Sequence, residues 1–171
     1  MNIVAAGDGS KARMSMNRYG LPDSQEAAAM TGREFLQAIV DGRFPQPPIG
    51  QTLSFWIAGV GDGFAVFEGD PGAQLCNPMG VVHGGWALTL LDSATGCAAH
   101  SLLPPGVGST SIETKVNFSR AIRPDTGRVR AEGRVVSQGR QIISTEGKLF
   151  APDGRVLAHG TSTVFVLSND R

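Results

Sequence analysis

Few of the features that assign a protein to a compartment or a cofactor at sight are present in this chain. It holds two cysteines, Cys76 and Cys97, in 171 residues, too few for a disulfide framework. Cys97 falls on an apolar helix, as a small core residue would. No apolar run reaches the ~20 residues of a membrane span. The first residues, Met1-Asn-Ile-Val-Ala-Ala-Gly-Asp8, have neither a basic leading segment nor an apolar core, so they do not form a secretory signal. A cytoplasmic location is expected, and the Asn117-Phe-Ser sequon has no export route to use it. With 15 basic and 15 acidic residues there is no charge excess for a nucleic-acid or membrane surface. His83, His100 and His159 lack ligand spacing, so neither metal nor cofactor is expected. The G-x-S-x-G of serine hydrolases is missing. Gly59-Val-Gly-Asp-Gly63 lacks dinucleotide spacing and leads into a strand, which makes it a hairpin turn. There are no solenoid repeats and no low-complexity tracts.

What is present suits one domain. Residues 1–24 are rich in Gly, Ser, Asn and Met without periodicity and read as a loose tail. From Ser24 to Asp41 the spacing is helical, with Phe35, Leu36, Ile39 and Val40 on one side. Gly42 ends that helix, and Pro45, Pro47 and Pro48 prevent its continuation. Residues 25–49 are therefore expected to form a helical extension, 50–167 the main domain, and 168–171 a short tail. Two strands, Leu53–Val60 and Phe64–Glu68, flank the turn at Gly61-Asp-Gly63. A helix is predicted over 84–99, ended by the breaker Leu102-Leu-Pro-Pro-Gly106. Alternation follows, with Ile112, Thr114, Val116 and Phe118 facing one way and Glu113, Lys115 and Asn117 the other. Turns at Pro124-Asp-Thr-Gly127, Ser137-Gln-Gly139 and Pro152-Asp-Gly154 then divide the remainder. Four long strands separated by tight turns predict one antiparallel meander.

The chemistry concentrates between Asn77 and Asp92. Here a turn passes through His83-Gly-Gly85 into a helix that is apolar nearly all round, with Trp86, Ala87, Leu88, Leu90, Leu91, Ala94, Cys97 and Ala98. Such a helix is surrounded, which predicts an α+β domain with a curved sheet wrapped about it. Its N-terminus offers free N–H groups and partial positive charge to a developing oxyanion. Gly85, Thr89, Asp92 and Gly96 share one side, a small and polar stripe with room for a ligand or a partner's backbone. Asp92 has no cation one turn away in either direction. A buried carboxylate of this kind is costly unless it finds donors. On the helix alone, an Asp bonded to backbone or to Ser93 explains it equally well. The glycine pair before it favours a base or nucleophile.

Asn77…Gly80-x-x-His83-Gly84-Gly85…Asp92-Ser-Ala94, with the later Val116-Asn-Phe-Ser-Arg120 and Gly139-Arg140, resembles the hotdog-fold acyl-CoA thioesterases. Within them it is similar to the phenylacetate-degradation type over residues 50–167. The resemblance implies a long central helix wrapped by a curved antiparallel sheet of about six strands. It implies hydrolysis of a small acyl-CoA, an aromatic acyl group being one option, to free acid and CoA. By position, the Gly84 N–H polarises the thioester carbonyl. Asp92 acts across a dimer interface as base or nucleophile, and Asn77 assists. His83 shapes the loop or touches substrate, while Gly85 and the water-orienting hydroxyl of Thr110 lie on the substrate side. Gly96 departs from the Ser or Thr of other branches.

Arg123, Arg140 and Arg155 stand beside turns, where they suit nucleotide phosphates, and Gly139 lets the backbone approach the pantetheine arm. Arg140 and Arg155, together with Arg128, Arg130 and Arg134, also read as a solvated strand face. Trp86, Phe55 and Trp56 are either an aromatic-acyl lining or ordinary core. The edge strand and the small-residue stripe call for a homodimer or a dimer of dimers. Two alternatives stand beside hydrolysis: a hotdog hydratase or dehydratase on acyl thioesters, and a non-catalytic acyl-CoA-binding module.

Overall fold

The computed structural model describes residues 18–167. Residues 1–17 of the expected N-terminal tail, and the expected tail at 168–171, lie outside the described residues. The first helix among the described residues, α1, is Ser24–Ala28, capped by the Asp23 carboxylate, which accepts from the N–H groups of Gln25 and Glu26 at 2.9 Å each. A second, α2, is Gly32–Val40. The single helix expected over 24–41 is thus two. Thr31 and Glu34 form a capping box that restarts the helix: Glu34 N–H donates to Thr31 Oγ1 and Thr31 N–H donates to Glu34 Oε2. The break lets Gly32 press against the backbone carbonyl of His100, where any Cβ would collide, while its N–H donates to the Leu103 carbonyl at 3.0 Å. A third helix, α3, is Pro48–Leu53, which sequence reasoning missed. Pro48 blocks continuation from behind but sits at the first helical position, where its fixed φ and missing N–H cost nothing.

Strand β1 (Phe55–Gly61) consequently starts two residues later than expected and forms a hairpin with β2 (Phe64–Gly69), as predicted around Gly61-Asp-Gly63. The long helix α4 is Gly84–His100. Then come β3 (Gly108–Phe118), β4 (Val129–Gln138), β5 (Ile142–Phe150) and β6 (Val156–Leu167). All six strands form one antiparallel sheet in the order β1-β2-β4-β5-β6-β3.

The four-strand meander is corrected by that order. Only β4, β5 and β6 follow one another; β3 pairs with β6 at the far edge, and β4 pairs with β2. The reason is α4, which crosses the sheet and delivers the chain to the opposite edge. Residues 119–128 then cross back. Ser119 and Arg120 N–H groups both donate to the Leu157 carbonyl, and Ile122 O accepts from Val82 N–H just before α4.

α4 lies deep against the concave face. Gly133 on β4 and Gly147 on β5 are register partners, and Gly147 in turn pairs with Gly160 on β6. A Cβ on Gly133 would run into the Ala94 carbonyl, and one on Gly147 would stand 3.0 Å from Thr95 Cγ2 and 3.1 Å from Leu91 Cδ2. These glycines let the helix backbone touch the sheet, burying Leu90, Leu91, Ala94 and Ala98 completely. Each buried leucine contributes about 1.5–3 kcal/mol. The architecture is the expected α+β one, with a qualification: the sheet covers one side of α4 only. Gly85, Thr89, Asp92 and Gly96 stay half-buried on the open side, and Leu88 is exposed. No described helix is long and apolar enough to cross a membrane.

Candidate active site

The approach to α4 is a small hairpin. Asn77 N–H donates to Val81 O and His83 N–H to Leu75 O, both at 2.8 Å. Gly80 turns the chain with φ +76°, a conformation strained for any side-chain-bearing residue. Asn77 Oδ1 accepts from Met79 N–H at 2.9 Å and from Val81 N–H at 3.4 Å. Its oxygen therefore shapes the turn, and only its amide hydrogens are left for anything bound.

His83 is the N-cap of α4. Its Nδ1 accepts from Gly85 N–H at 2.9 Å, so the neutral ring carries its proton on Nε2. This bond consumes the Gly85 donor. The Gly84 N–H, first in the helix, has no acceptor among the described residues. It points out of a helix N-terminus with the partial positive charge of the peptide dipoles behind it. The Phe118 ring lies beside it, 3.1–3.4 Å from where a Gly84 Cβ would be.

Asp92 follows eight residues later, about 12 Å along the helix at ~1.5 Å per residue. Its Oδ1 accepts from the Thr114 hydroxyl at 2.7 Å, a short bond of the charge-assisted kind. Ser162 Oγ is 3.0 Å from Thr114 Oγ1 and donates to the Glu113 carbonyl at 2.8 Å. The donor is thus Thr114, not Ser93 or the backbone. No cation pairs with Asp92 among the described residues, and its Oδ2 has no partner there. Thr114 and Ser162 were missed as site residues. The available signal was a threonine on the apolar side of an alternating strand.

Asp92 opens onto a groove of about 330 Å³ between α4, β3 and α2. Thr110 lines the same groove, so those two candidates are brought together. Gly96, also in it, has its missing hydroxyl answered from across the groove: Ser111 Oγ lies 3.6 Å from where a Gly96 Cβ would be. Cys97 packs against the core, and burial together with the Asp92 charge pushes its thiol up to about 12. It stays a thiol and is no nucleophile. His100 ends the groove with Nδ1 3.3 Å from Ser109 Oγ. Burial holds its pKa below the ordinary histidine value, so it is neutral near pH 7.

Trp86, Phe55 and Trp56 do not line this groove. Trp86 and Phe55 belong to the main core, Trp86 Nε1 donating to the Leu53 carbonyl at 2.7 Å. Trp56 is buried beneath Arg128, whose guanidinium sits 4.6 Å from the ring centroid. The basic residues divide similarly. Arg128 makes a two-point pair with Asp70 at 2.8 and 2.9 Å, and Arg130 and Arg134 flank Glu132. These three form a paired strand face. Arg123 and the Asp153-paired Arg155 are exposed in turns at the end of the sheet where α4 begins. Gly139 and Arg140 occupy the β4–β5 turn at the other end, so one chain does not gather the three candidate arginines. Among the described residues no three His, Cys, Asp or Glu side chains converge as metal ligands.

A long helix on the concave face of six antiparallel strands in this order is the hotdog architecture that the sequence resemblance implied. Residues 79–158 match the thioesterase superfamily. A conserved protein of Pseudomonas aeruginosa is similar at 31% identity and a TM-score of 0.65, over 70% of this chain and 94% of that one. A thioesterase family protein of Silicibacter pomeroyi is 29% identical with a TM-score of 0.68, over 77% and 98% of the two chains. A phenylacetic acid degradation-related protein of Ralstonia eutropha is 25% identical, with a TM-score of 0.68, over 76% and 98%. No curated protein matches the chain significantly. The chain belongs to the thioesterase superfamily.

Proposed function

We propose that this protein is an acyl-CoA thioesterase built as a homodimer, in which Gly84 of one subunit and Asp92 of the other serve the same thioester. The observation that carries this reading is the spacing on α4. An unengaged N–H and an unpaired carboxylate, both suited to acyl transfer, stand about 12 Å apart on one rigid helix, too far to meet one carbonyl. An antiparallel second copy brings each Gly84 toward the other chain's Asp92. The outer edge of β3 supports the same assembly: its backbone is unpaired on one side, and Ile112 and Phe118 on it are 59% and 57% exposed. A twofold axis also reverses the sheet, so Arg140 of a second copy approaches the end that holds Arg123 and Arg155. That restores the proposed nucleotide-phosphate cluster. Pairs of such dimers fit the same scheme.

In the reaction, the thioester carbonyl oxygen accepts from Gly84 N–H, with the Asn77 amide and the His83 Nε2–H as neighbouring donors. Asp92, held by Thr114, either attacks the carbonyl carbon or takes a proton from the water that does. Thr110 lies in the same groove to orient that water. With water as nucleophile, Asp92 takes its proton as the C–O bond forms and passes it to sulfur as the C–S bond breaks, giving free acid and CoA thiol. With Asp92 as nucleophile, its oxygen bonds the carbonyl carbon as CoA thiolate leaves. Water then cleaves the resulting anhydride, freeing the acid, restoring the Asp92 carboxylate and supplying the proton that the thiolate takes up. The matching substrate pool is the acyl-CoA of the cytoplasm.

Thiol release from a panel of acyl-CoA substrates tests the reading. Asp92→Asn should cut kcat by at least about 10²-fold, the usual scale for a lost general base. It should fold normally, since the Asn Oδ1 keeps the Thr114 bond. Binding without thiol release from any acyl-CoA would make the protein a binding module. Unchanged turnover in folded Asp92→Asn would remove Asp92 from the chemistry.

A further inference from the structure

The Asp92 groove has a neighbour. Beyond it lies a second cavity of about 280 Å³, reaching Met30, Pro104, Val107 and Gly108. The two cavities have two lining residues in common, Phe35 and His100. Their rings meet edge to face, with centroids 6.0 Å apart and planes at 78°. The pair is braced on both sides. Phe44 packs behind Phe35 at 5.9 Å between centroids. His100 is held by Ser109, and its carbonyl is pinned beneath Gly32 at the start of α2. Phe35 comes from α2, which lies outside the segment matched by the thioesterase superfamily.

We propose that Phe35, set edge to face with His100, is the end wall of the acyl groove and restricts this enzyme to short or single-ring acyl groups. This rests on the thioesterase reading above. A chain entering from Asp92 passes Gly96, which has no side chain of its own and faces the Ser111 hydroxyl, and then meets two rings. One belongs to the helical extension and the other is a neutral imidazole, so the wall is uncharged and suits an apolar acyl end. Removing the Phe35 ring takes away one of the two side chains that line both cavities, which hold about 330 and 280 Å³. A pocket cut off by a side chain rejects longer homologues sterically, whereas a missing methylene in a fitted pocket changes kcat/KM by only about 10–200-fold.

The experiment compares the wild type with Phe35→Ala, Phe35→Leu and Phe35→Trp on CoA thioesters from butanoyl and phenylacetyl to dodecanoyl. Affinities for thioether analogues of the same lengths, which cannot be hydrolysed, are measured in parallel. Phe35→Ala should raise kcat/KM for dodecanoyl-CoA at least about tenfold relative to butanoyl-CoA, with thioether affinities moving in the same order. Phe35→Trp should lose the single-ring substrate first. Melting curves confirm folding, and Phe35→Leu gives a smaller shift in the same direction should the alanine variant not fold. An unchanged length preference in the leucine and tryptophan variants would overturn the wall. Failure of the wild type to release thiol would overturn the thioesterase reading alone, because the thioether affinities still report the wall.

Discussion

Replacing Gly84 with proline removes one hydrogen-bond donor and almost nothing else. Gly84 is the first residue of α4, the position where proline is best tolerated in a helix. The preceding residue, His83, has φ −60° and ψ 135°, inside the extended region that a following proline demands. The ring would approach Phe118, whose atoms lie 3.1–3.4 Å from the added Cβ, so that this side chain has only to give by a few tenths of an ångström. Stability should therefore change by less than about 1 kcal/mol, within the ordinary range for surface changes. Activity should not survive as well. Loss of one oxyanion donor costs about 10²–10³ in kcat, or roughly 2.7–4 kcal/mol.

The stronger test combines Gly84→Pro with Asp92→Asn in co-expressed, randomly mixed dimers. About half of such dimers are heterodimers, and in each the two lesions fall in one site and leave the other intact. About a quarter of wild-type activity should return from two inactive parents, measured by thiol release at equal total protein. Mixtures no more active than their parents would show that Gly84 and Asp92 do not share a site across subunits. Full activity of Gly84→Pro alone would remove its N–H from the mechanism.

Gly133→Ala should destabilise the fold by about 1–3 kcal/mol, the range for overpacking a core. At about 2 kcal/mol that is a Tm fall of roughly 4–8 °C for a chain of this size, and an unchanged Tm would refute the close contact with Ala94. His100 makes stability pH-dependent. Its folded-state pKa lies below the unfolded value of about 6.5, so the unfolded chain binds more protons as the pH drops. The contribution is complete above about pH 6.5 and is lost as the pH falls toward the folded value. The Tm loss between about pH 7.5 and pH 5.5 should be larger for the wild type than for His100→Gln; equal losses would show that His100 is not the buried proton acceptor.

What could be read along the chain was what depends on neighbours in sequence. The helix over 84–99, the Gly61-Asp-Gly63 hairpin and the β4–β5–β6 turns each follow from a local period or a turn residue. The division of the N-terminal helix was also written locally, in Thr31-x-x-Glu34, and so was α3, in Pro48 at a helix start. Both were obscured by reading proline and glycine only as terminators. The position of β3 was not legible, because alternation tells which side of a strand is apolar and nothing about its neighbours. That one unknown propagated. It hid the Thr114–Asp92 bond, since Thr114 reaches the helix only from the edge position. The separation of Arg140 from Arg123 and Arg155, by contrast, was legible, since consecutive turns between antiparallel strands fall at opposite ends of a sheet whatever the strand order.

The contact between Gly133 and the Ala94 carbonyl bears on more than packing. Asp92 has its backbone on α4, but its hydroxyl anchor, Thr114, belongs to the sheet. The 2.7 Å bond between them is therefore a gauge of how far the helix stands off the strands. Ala94, seated on Gly133, is two residues away and sets the zero of that gauge. Volume added beneath the helix, on a face no substrate reaches, would lift Asp92 off its anchor before it unfolded anything. Core substitutions at this level should register as lost turnover in proteins that still melt cooperatively. Under the proposed mechanism, the depth of the core is thus itself a coordinate of the reaction.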